Sequence, residues 1–349
     1  MEAAPPDLVE AASRPDVGWD AFVEATPGGS YCHLSGWGTI MNEVLGHEVL
    51  FLHARGREGA LKGVLPLVRV RSRLFGHFLV SMPFLNYGGP LGSLEARRAL
   101  AEWALAAAEG SGADLLELRA RPGGEVEEGG LVVTGRKVTV VLPLPDDPEV
   151  LWKDGLRSKI RSQVRRPMKA GLEARFGPDQ VEPFYRVFAR NMRDLGTPVL
   201  PRKLFQALPG VFGDRVSFCV VYREGEPVAG GCGFLAAGEF EITWASALRE
   251  HSKAAPNMLL YWRMMEHAIE RGASAFNFGR CTPDTGSHRF KQQWGGEDVP
   301  LPWAAWSPDG RLATPNPEEG KFARAISIWQ KLPVGLTRLI GPPLARRIP

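Results

Sequence analysis

The chain has 349 residues, enough for about two domains at roughly 100–200 residues each, and a chain of this size buries a core without disulfide or metal staples. Hydrophobic residues make up 44% and charged residues 23%, with 42 Lys plus Arg against 39 Asp plus Glu and a net charge of +3. That balance excludes wholesale disorder and a surface that wraps nucleic acid throughout, so any cationic site is local.

Cys32, Cys219, Cys232 and Cys281 are scattered and form no C-x-x-C pair, which argues against a disulfide framework or structural zinc and for a reducing cytoplasm. The acidic, proline-containing start MEAAPPDLVEAASRPD lacks the basic and apolar regions of a secretory signal. The most apolar stretch, 74–91, is interrupted by His77, Pro83, Asn86 and Pro90, short of the roughly 18 unbroken apolar residues of a membrane span. The expected location is cytoplasmic, at most peripheral at the inner membrane.

The first half reads as strands over 48–54 and 61–70 joined by the turn RGREGA, then a third strand over 79–87 that ends in NYGGPLG. A helix over 94–109 follows, with Ala96, Leu100, Trp103, Ala104 and Ala107 on one face, and then the strands DLLELRA and RKVTVVLPL. The second half repeats the order: strands over 216–223, 227–235 and 239–247, a helix over 256–271, and the strand AFNFGR. Gly112 answers to Gly272 and Gly63 to Gly230. The expected fold is therefore a duplicated α/β (α+β) unit, each copy a hairpin, strand, helix and strand. The expected bounds are 1–148 and 149–310, with a tail over 311–349.

The second copy is entered by a helix expected over 149–171. Lys153, Arg157, Arg161, Arg165 and Lys169 recur every four residues beside an apolar stripe of Trp152, Leu156, Ile160, Val164 and Met168, which on a helix makes one cationic ridge and one packing ridge. Residues 153–175 hold eight Lys or Arg and two acids. Such a face is either simply solvated or built for an anion, and phosphate is the natural anion for Arg forks. It carries no aromatics for base stacking, so one phosphorylated ligand or a tRNA end fits better than a long polymer. Arg157, Arg161 and Arg165 are the candidate phosphate contacts.

Residues 276–306 supply the second signal. Lys291 stands between Phe290 and Trp294, where desolvation strengthens or depresses its charge and where it could stabilise an oxyanion; alternatively Phe290 and Trp294 are core anchors and Lys291 points to water. Asp194 and Glu241 are candidate general bases, Asp194 alternatively satisfying a turn. Asn86 and Tyr87 could line a cleft. Asn257 at the start of the second helix, Arg280 and Trp294 complete the candidate substrate contacts. His251 and His288 read as surface or structural, because no second ligand stands at metal spacing.

The duplicated unit, the linker LRSKIRSQVRRPMKAG, FGR followed by FKQQWG, GVLPL at 63–67, NYGGP at 86–90, NMRDLGTPV at 191–199 and the C-terminal KLP…IGPPLARRIP together resemble the FemAB family. These are double-GNAT (acyl-CoA N-acyltransferase fold) proteins similar to the BioF-like acetyltransferases, and the resemblance runs closest to the FemAB type of exosortase and exopolysaccharide loci. It implies two tandem GNAT-like domains with mixed sheets flanked by helices. It also implies transfer of an acyl or aminoacyl group to an amine, in peptidoglycan bridge synthesis for the best-known members. The Lys of the family's F-K-x-x-(F/W)-G setting falls on Lys291. The donor would be a co-substrate, acyl-CoA or aminoacyl-tRNA, with no tightly bound cofactor and no metal, and the acceptor a nucleotide- or lipid-linked sugar. The stretch LREHSKAAPNMLLYW departs from the glycine-bearing (Q/R)-x-x-G-x-(G/A) loop that cradles a pyrophosphate, and Pro256 removes one N–H there. A non-catalytic protein that binds a phosphorylated sugar or lipid-linked precursor is the competing reading. The C-terminal segment, which mixes apolar and basic residues, either touches a membrane or packs on the body.

Overall fold

A computed structural model describes residues 8–126, 129–134, 137–310, 312 and 320–348. Residues 1–7 of the N-terminal stretch and 313–319 of the expected tail lie outside the described residues. In chain order the first unit contains β1 (Leu8–Ala12), α1 (Trp19–Ala25), α2 (Gly36–Thr39), β2 (Glu48–Arg55), β3 (Leu61–Ser72), β4 (Gly76–Val80), β5 (Leu91–Gly92), α3 (Leu94–Gly110), β6 (Leu115–Arg119) and β7 (Val132–Thr134). The chain continues with β8 (Val138–Pro143), α4 (Pro148–Val150), α5 (Ser158–Lys169), β9 (Glu173–Phe176), α6 (Val181–Leu195), α7 (Arg202–Phe212), β10 (Val216–Arg223), β11 (Glu226–Ala236), β12 (Glu239–Ala247), α8 (Pro256–Glu270), β13 (Ala275–Cys281), α9 (Gly286–Gln292) and β14 (Glu297–Pro300). It ends with β15 (Trp303–Trp306), α10 (Gly320–Lys331) and α11 (Val334–Ala345).

One compact unit is Met1–Val138 with Val299–Thr314 and Arg347–Pro349; the other is Thr139–Asp298 with Pro315–Arg346. The first sheet runs β1-β2-β3-β4-β6-β15-β7, and β5 also pairs with β3. The second runs β14-β8-β13-β12-β11-β10-β9. In both the duplicated order holds: an antiparallel hairpin, a third strand, a helix, and a strand returning parallel to the third, β6 beside β4 and β13 beside β12. Such a parallel return needs a crossover helix, which α3 and α8 supply. Each of these helices is followed by a glycine with positive φ, Gly112 and Gly272.

The bounds differ from 1–148 and 149–310 because strands are exchanged along the sequence: β8 sits in the second sheet, while β15 returns to pair with β6 and β7. The third strand of the first copy ends at Val80 rather than at residue 87. Met82 and Phe84 take positive φ around Pro83, which breaks the ladder. The helix expected over 149–171 is broken as well. Leu151–Gly155 forms a π turn in which Leu156 N–H bonds Leu151 O at 2.9 Å, Leu156 and Arg157 are extended, and α5 starts afresh at Ser158. Leu156, Ile160 and Val164 are buried, but Met168 is 52% exposed, so the apolar ridge is shorter than its periodicity.

The first core lies between α3 and the sheet, around Leu52, Leu65, Leu67, Leu100, Leu116 and Leu118. In the second, α6 packs on one part of the sheet through Phe184 and Phe188, which meet Phe205 and Phe218 edge-on. α8 contributes the buried Leu259, Leu260, Met264 and Met265. Fully burying a side chain of this size contributes about 1.5–3 kcal/mol. α10 and α11 pack on α6.

Candidate active site

The site is set by where two parallel strands part. β12 and β13 pair over three positions only, ending at Glu241 opposite Asn277, although β12 runs on to Ala247 and β13 to Cys281. On the other side of β12, the pairing with β11 shifts between Cys232 and Gly233, so that Thr243 bulges out of the ladder. A Cβ at Gly233 would stand 2.5 Å from the Phe240 ring and 2.8 Å from Glu241 O, so only glycine fits under this bulge. The crevice at the carboxyl ends of splayed strands is where ligands enter open α/β sheets. In the first unit the equivalent opening is closed by its own chain: Ser81 Oγ accepts from Arg119 N at 2.7 Å, and the Arg119 guanidinium donates to Glu117, Met82 O and Leu85 O.

Lys291 reaches this edge from α9. Its Nζ donates to Gly279 O at 2.6 Å and to Arg280 O at 3.0 Å. Both carbonyls lie on β13 beyond its last pair with β12, and Gly279 holds φ +72°. The ammonium has three donors, and the third has no acceptor among the described residues. Lys291 is 6% exposed, and burial pulls its pKa from 10.5 down to about 8, with Cys281 and the Glu241 carboxylate acting in the opposite sense. A wall of aromatic rings stands beside α9: Tyr261 stacks on Phe278 at 5.7 Å and meets Phe290 edge-on at 5.1 Å, and Trp294 lies 6.4 Å from Phe278. Burial also raises the Tyr261 pKa. Trp294 Nε1 is buried with no hydrogen-bond partner among the described residues, a donor left open on the wall behind Lys291.

The floor is polar. Glu241 is fully buried. The Asn277 side chain accepts from Thr139 Oγ1 and from Gly279 N (2.8 Å) and donates to Glu239 (3.1 Å), so it fixes the turn of backbone that presents the two carbonyls to Lys291. α9 is seated by Thr285, whose hydroxyl caps it, and by His288, which bonds Asp284 N and Asp298. His288 is thus a structural histidine, as its isolation in the sequence indicates.

The structure brings Lys291, Glu241 and Trp294 together, with Arg280 lending its carbonyl while its side chain is exposed. Asn257 stands in the first turn of α8. The turn before it spends its own N–H groups, His251 N on Leu248 O, Ala255 N on Ser252 O and Met258 N on Ala255 O, so the backbone offers little to a pyrophosphate. Arg157 bonds Gln293 O at 2.8 Å, and Gln293 touches Met258, which places Arg157 between α9 and the start of α8. Arg165 lies over the Trp152 ring at 5.3 Å. Arg161 differs: its Nη1 donates to the carbonyls of Trp152, Lys153 and Leu156, capping the helix end that the break leaves open. Asp194 pairs with Arg193 at 2.6 Å at the end of α6 and meets neither Lys291 nor Glu241 among the described residues. Asn86 and Tyr87 belong to the first unit, where Tyr87 is fully buried under Arg121. Asn277 was missed by sequence reasoning; the signal for it is the alternation of AFNFGR, which places a polar residue between two core phenylalanines.

Residues 155–292 match the acetyltransferase (GNAT) domain family, a span that holds the parted strands and Lys291. Among solved structures, "Crystal structure of FemX" is similar at a TM-score of 0.64 and 15% identity, covering 85% of this chain and 97% of that one. The structure of L-PGS from Bacillus licheniformis gives 0.54 and 15%, covering 95% and 98%. A tandem GNAT protein from the clavulanic acid biosynthesis pathway gives 0.52 and 13%, covering 88% and 100%. No curated protein matches in sequence. The fold is thus a tandem GNAT fold of two mixed sheets flanked by helices. Among the described residues no helix is long and apolar enough to cross a membrane.

Proposed function

We propose that the chain transfers an acyl or aminoacyl group to an amine of a cell-envelope precursor or exopolysaccharide sugar. The observation that carries this reading is the third N–H of Lys291, held on a dry edge of parted strands with its other two donors spent on Gly279 O and Arg280 O. A preorganised donor of this kind stabilises the oxyanion of acyl transfer. In the reaction the acceptor amine attacks the donor carbonyl, a C–N bond forms, and the carbonyl oxygen takes up negative charge beside Lys291. The C–S or C–O bond to the leaving group then breaks, and the amine's proton passes to Glu241, the buried carboxylate whose charge acts on the lysine. No covalent enzyme intermediate is required.

The phosphate of the donor or acceptor is assigned to Arg157 and Arg165 together with Lys253, an exposed residue of the turn Arg249–Ala254 before α8, because that turn keeps its N–H groups for itself. This favours a donor gripped by side chains over one cradled by backbone. The test is a thermal-shift panel with acetyl-CoA, long-chain acyl-CoA, aminoacyl-tRNA and nucleotide-activated amino sugars. A ligand at 100 times its Kd adds about 2.7 kcal/mol. Stabilisation by one donor, followed by amide product that Lys291→Ala fails to form, supports the reading. Stabilisation by a phosphorylated sugar alone, with no donor active, points instead to a non-catalytic binding protein.

A further inference from the structure

The first unit carries a cationic feature that the transfer chemistry does not use. β3 and β4 form a hairpin whose last pair is Ser72 with Gly76. Ser72 Oγ accepts from Leu74 N (3.2 Å) and Phe75 N (3.1 Å), so the tip Arg73-Leu74-Phe75 is a tight, shaped turn. It projects apolar side chains into water: Leu74 is 72% exposed and Phe75 39%. Beneath the tip is an open cleft of about 920 Å³ lined by Arg71, Ser72, Arg73, His77, Asp114 and Arg347 among others. None of the three guanidinium groups makes a hydrogen bond or ion pair among the described residues. Asp114 is committed to His77 N at 2.8 Å, and His77 Nε2 is buried without a partner among the described residues. Ile348, next to Arg347, is 40% exposed.

Three unpaired arginines around one cleft repel each other unless an anion joins them, and Arg forks fit phosphate oxygens bidentately. Adjacent exposed apolar residues on a rigid tip are costly in water and favourable in the boundary between headgroups and acyl chains. Polymeric nucleic acid accounts for the arginines but not for Leu74, which cannot stack on a base. We infer that the β3–β4 hairpin docks the protein on a bilayer of anionic phospholipid, Leu74 and Phe75 entering the interface while Arg71, Arg73 and Arg347 hold headgroup phosphates. The inference is independent of the transfer reaction, since it rests on the first unit alone.

The experiment is co-sedimentation of the full chain with phosphatidylcholine vesicles, plain or containing about 40% phosphatidylglycerol, a composition that gives the surface the negative potential basic clusters respond to. The wild type is expected to sediment with the anionic vesicles and not with the neutral ones. At about 1 kcal/mol per arginine near such a surface, R71A/R73A/R347A lowers the partition coefficient roughly a hundredfold. L74S/F75S, on the exposed tip where folding is not at stake, lowers it at least severalfold and blue-shifted fluorescence of a probe attached at the tip is lost. Equal partitioning to both vesicle types, or to neither, overturns the inference. So does L74S/F75S binding as the wild type, which marks a polyanion site without insertion. Loss of binding in R165A/R166A on α5, with the hairpin variants unaffected, moves the contact to the other unit and also overturns it.

Discussion

In the proposed reaction Lys291 is the residue on which the chemistry turns, and its burial fixes two measurable properties. Removing a single oxyanion donor costs about 10²–10³ in kcat, so Lys291→Ala is expected to lose at least a hundredfold in transfer while its circular dichroism is unchanged. The charged ammonium is the active form, and its pKa lies near 8. The lysine-dependent rate therefore falls as pH rises through about 8, and a rate that instead rises there would make Lys291 a base. The stability effect has the opposite slope. The folded pKa is depressed below 10.5, so between about 8 and 10.5 the unfolded chain binds more protons, and stability grows with pH across that window. Urea titrations of wild type against Lys291→Met should diverge in favour of the wild type from pH 8 to 10, by about 2 kcal/mol. The lysine was legible in the sequence from its place between Phe290 and Trp294. Its two carbonyl acceptors were not, because they depend on Gly279 at φ +72° and on Asn277 three-dimensionally bracing that turn. Glu241 was legible only as one of two carboxylates; strand register, with Glu241 opposite Asn277, separates it from Asp194.

At the scale of elements, the basic segment divides into different tasks. A four-residue spacing of Lys and Arg looks like one ridge on paper, but Gly155 and the extended Leu156–Arg157 interrupt it. Arg161 then closes the broken end with three carbonyls. Arg161→Ala is therefore expected to lower stability by about 1–3 kcal/mol, the usual cost of losing hydrogen bonds from a charged group, and to change KM little once the protein is folded. Arg157→Ala and Arg165→Ala should do the reverse, raising KM for a phosphorylated substrate with a Tm close to the wild type. Thermal melts and initial rates on the three variants separate the roles. Hydrophobic periodicity found the hairpins and the crossover helices because each buries one face. It could not find the break, which is set by a local backbone choice, nor α6 and α7, whose role shows only once the phenylalanines they bury are seen to meet.

For the molecule as a whole, duplication was legible because both copies obey the same rule, a parallel return over a crossover helix, and both end that helix at a positive-φ glycine. The limits of the units were not legible, because β8 and β15 pair with strands distant in sequence. A fragment of residues 1–148 lacks β15, which stands between β6 and β7, so it is expected to expose apolar surface and unfold non-cooperatively, whereas the full chain melts with sharp transitions. Calorimetry of the fragment beside the full chain decides it. Removing residues 320–349 likewise strips α10 and α11 from α6, and Gly196, whose Cβ position lies 2.4 Å from Ile326 Cγ2, shows how closely that cover fits. On the proposed function, the parted strands β12 and β13, with Lys291 at their edge, form an acyl-transfer site. The most direct test of that function is mass-spectrometric detection of amide product from an activated donor and an amine acceptor, wild type beside Lys291→Ala at pH 7. Product with the wild type and at least a hundredfold less with the variant is the predicted result; equal product from both, at equal fold content, would contradict it.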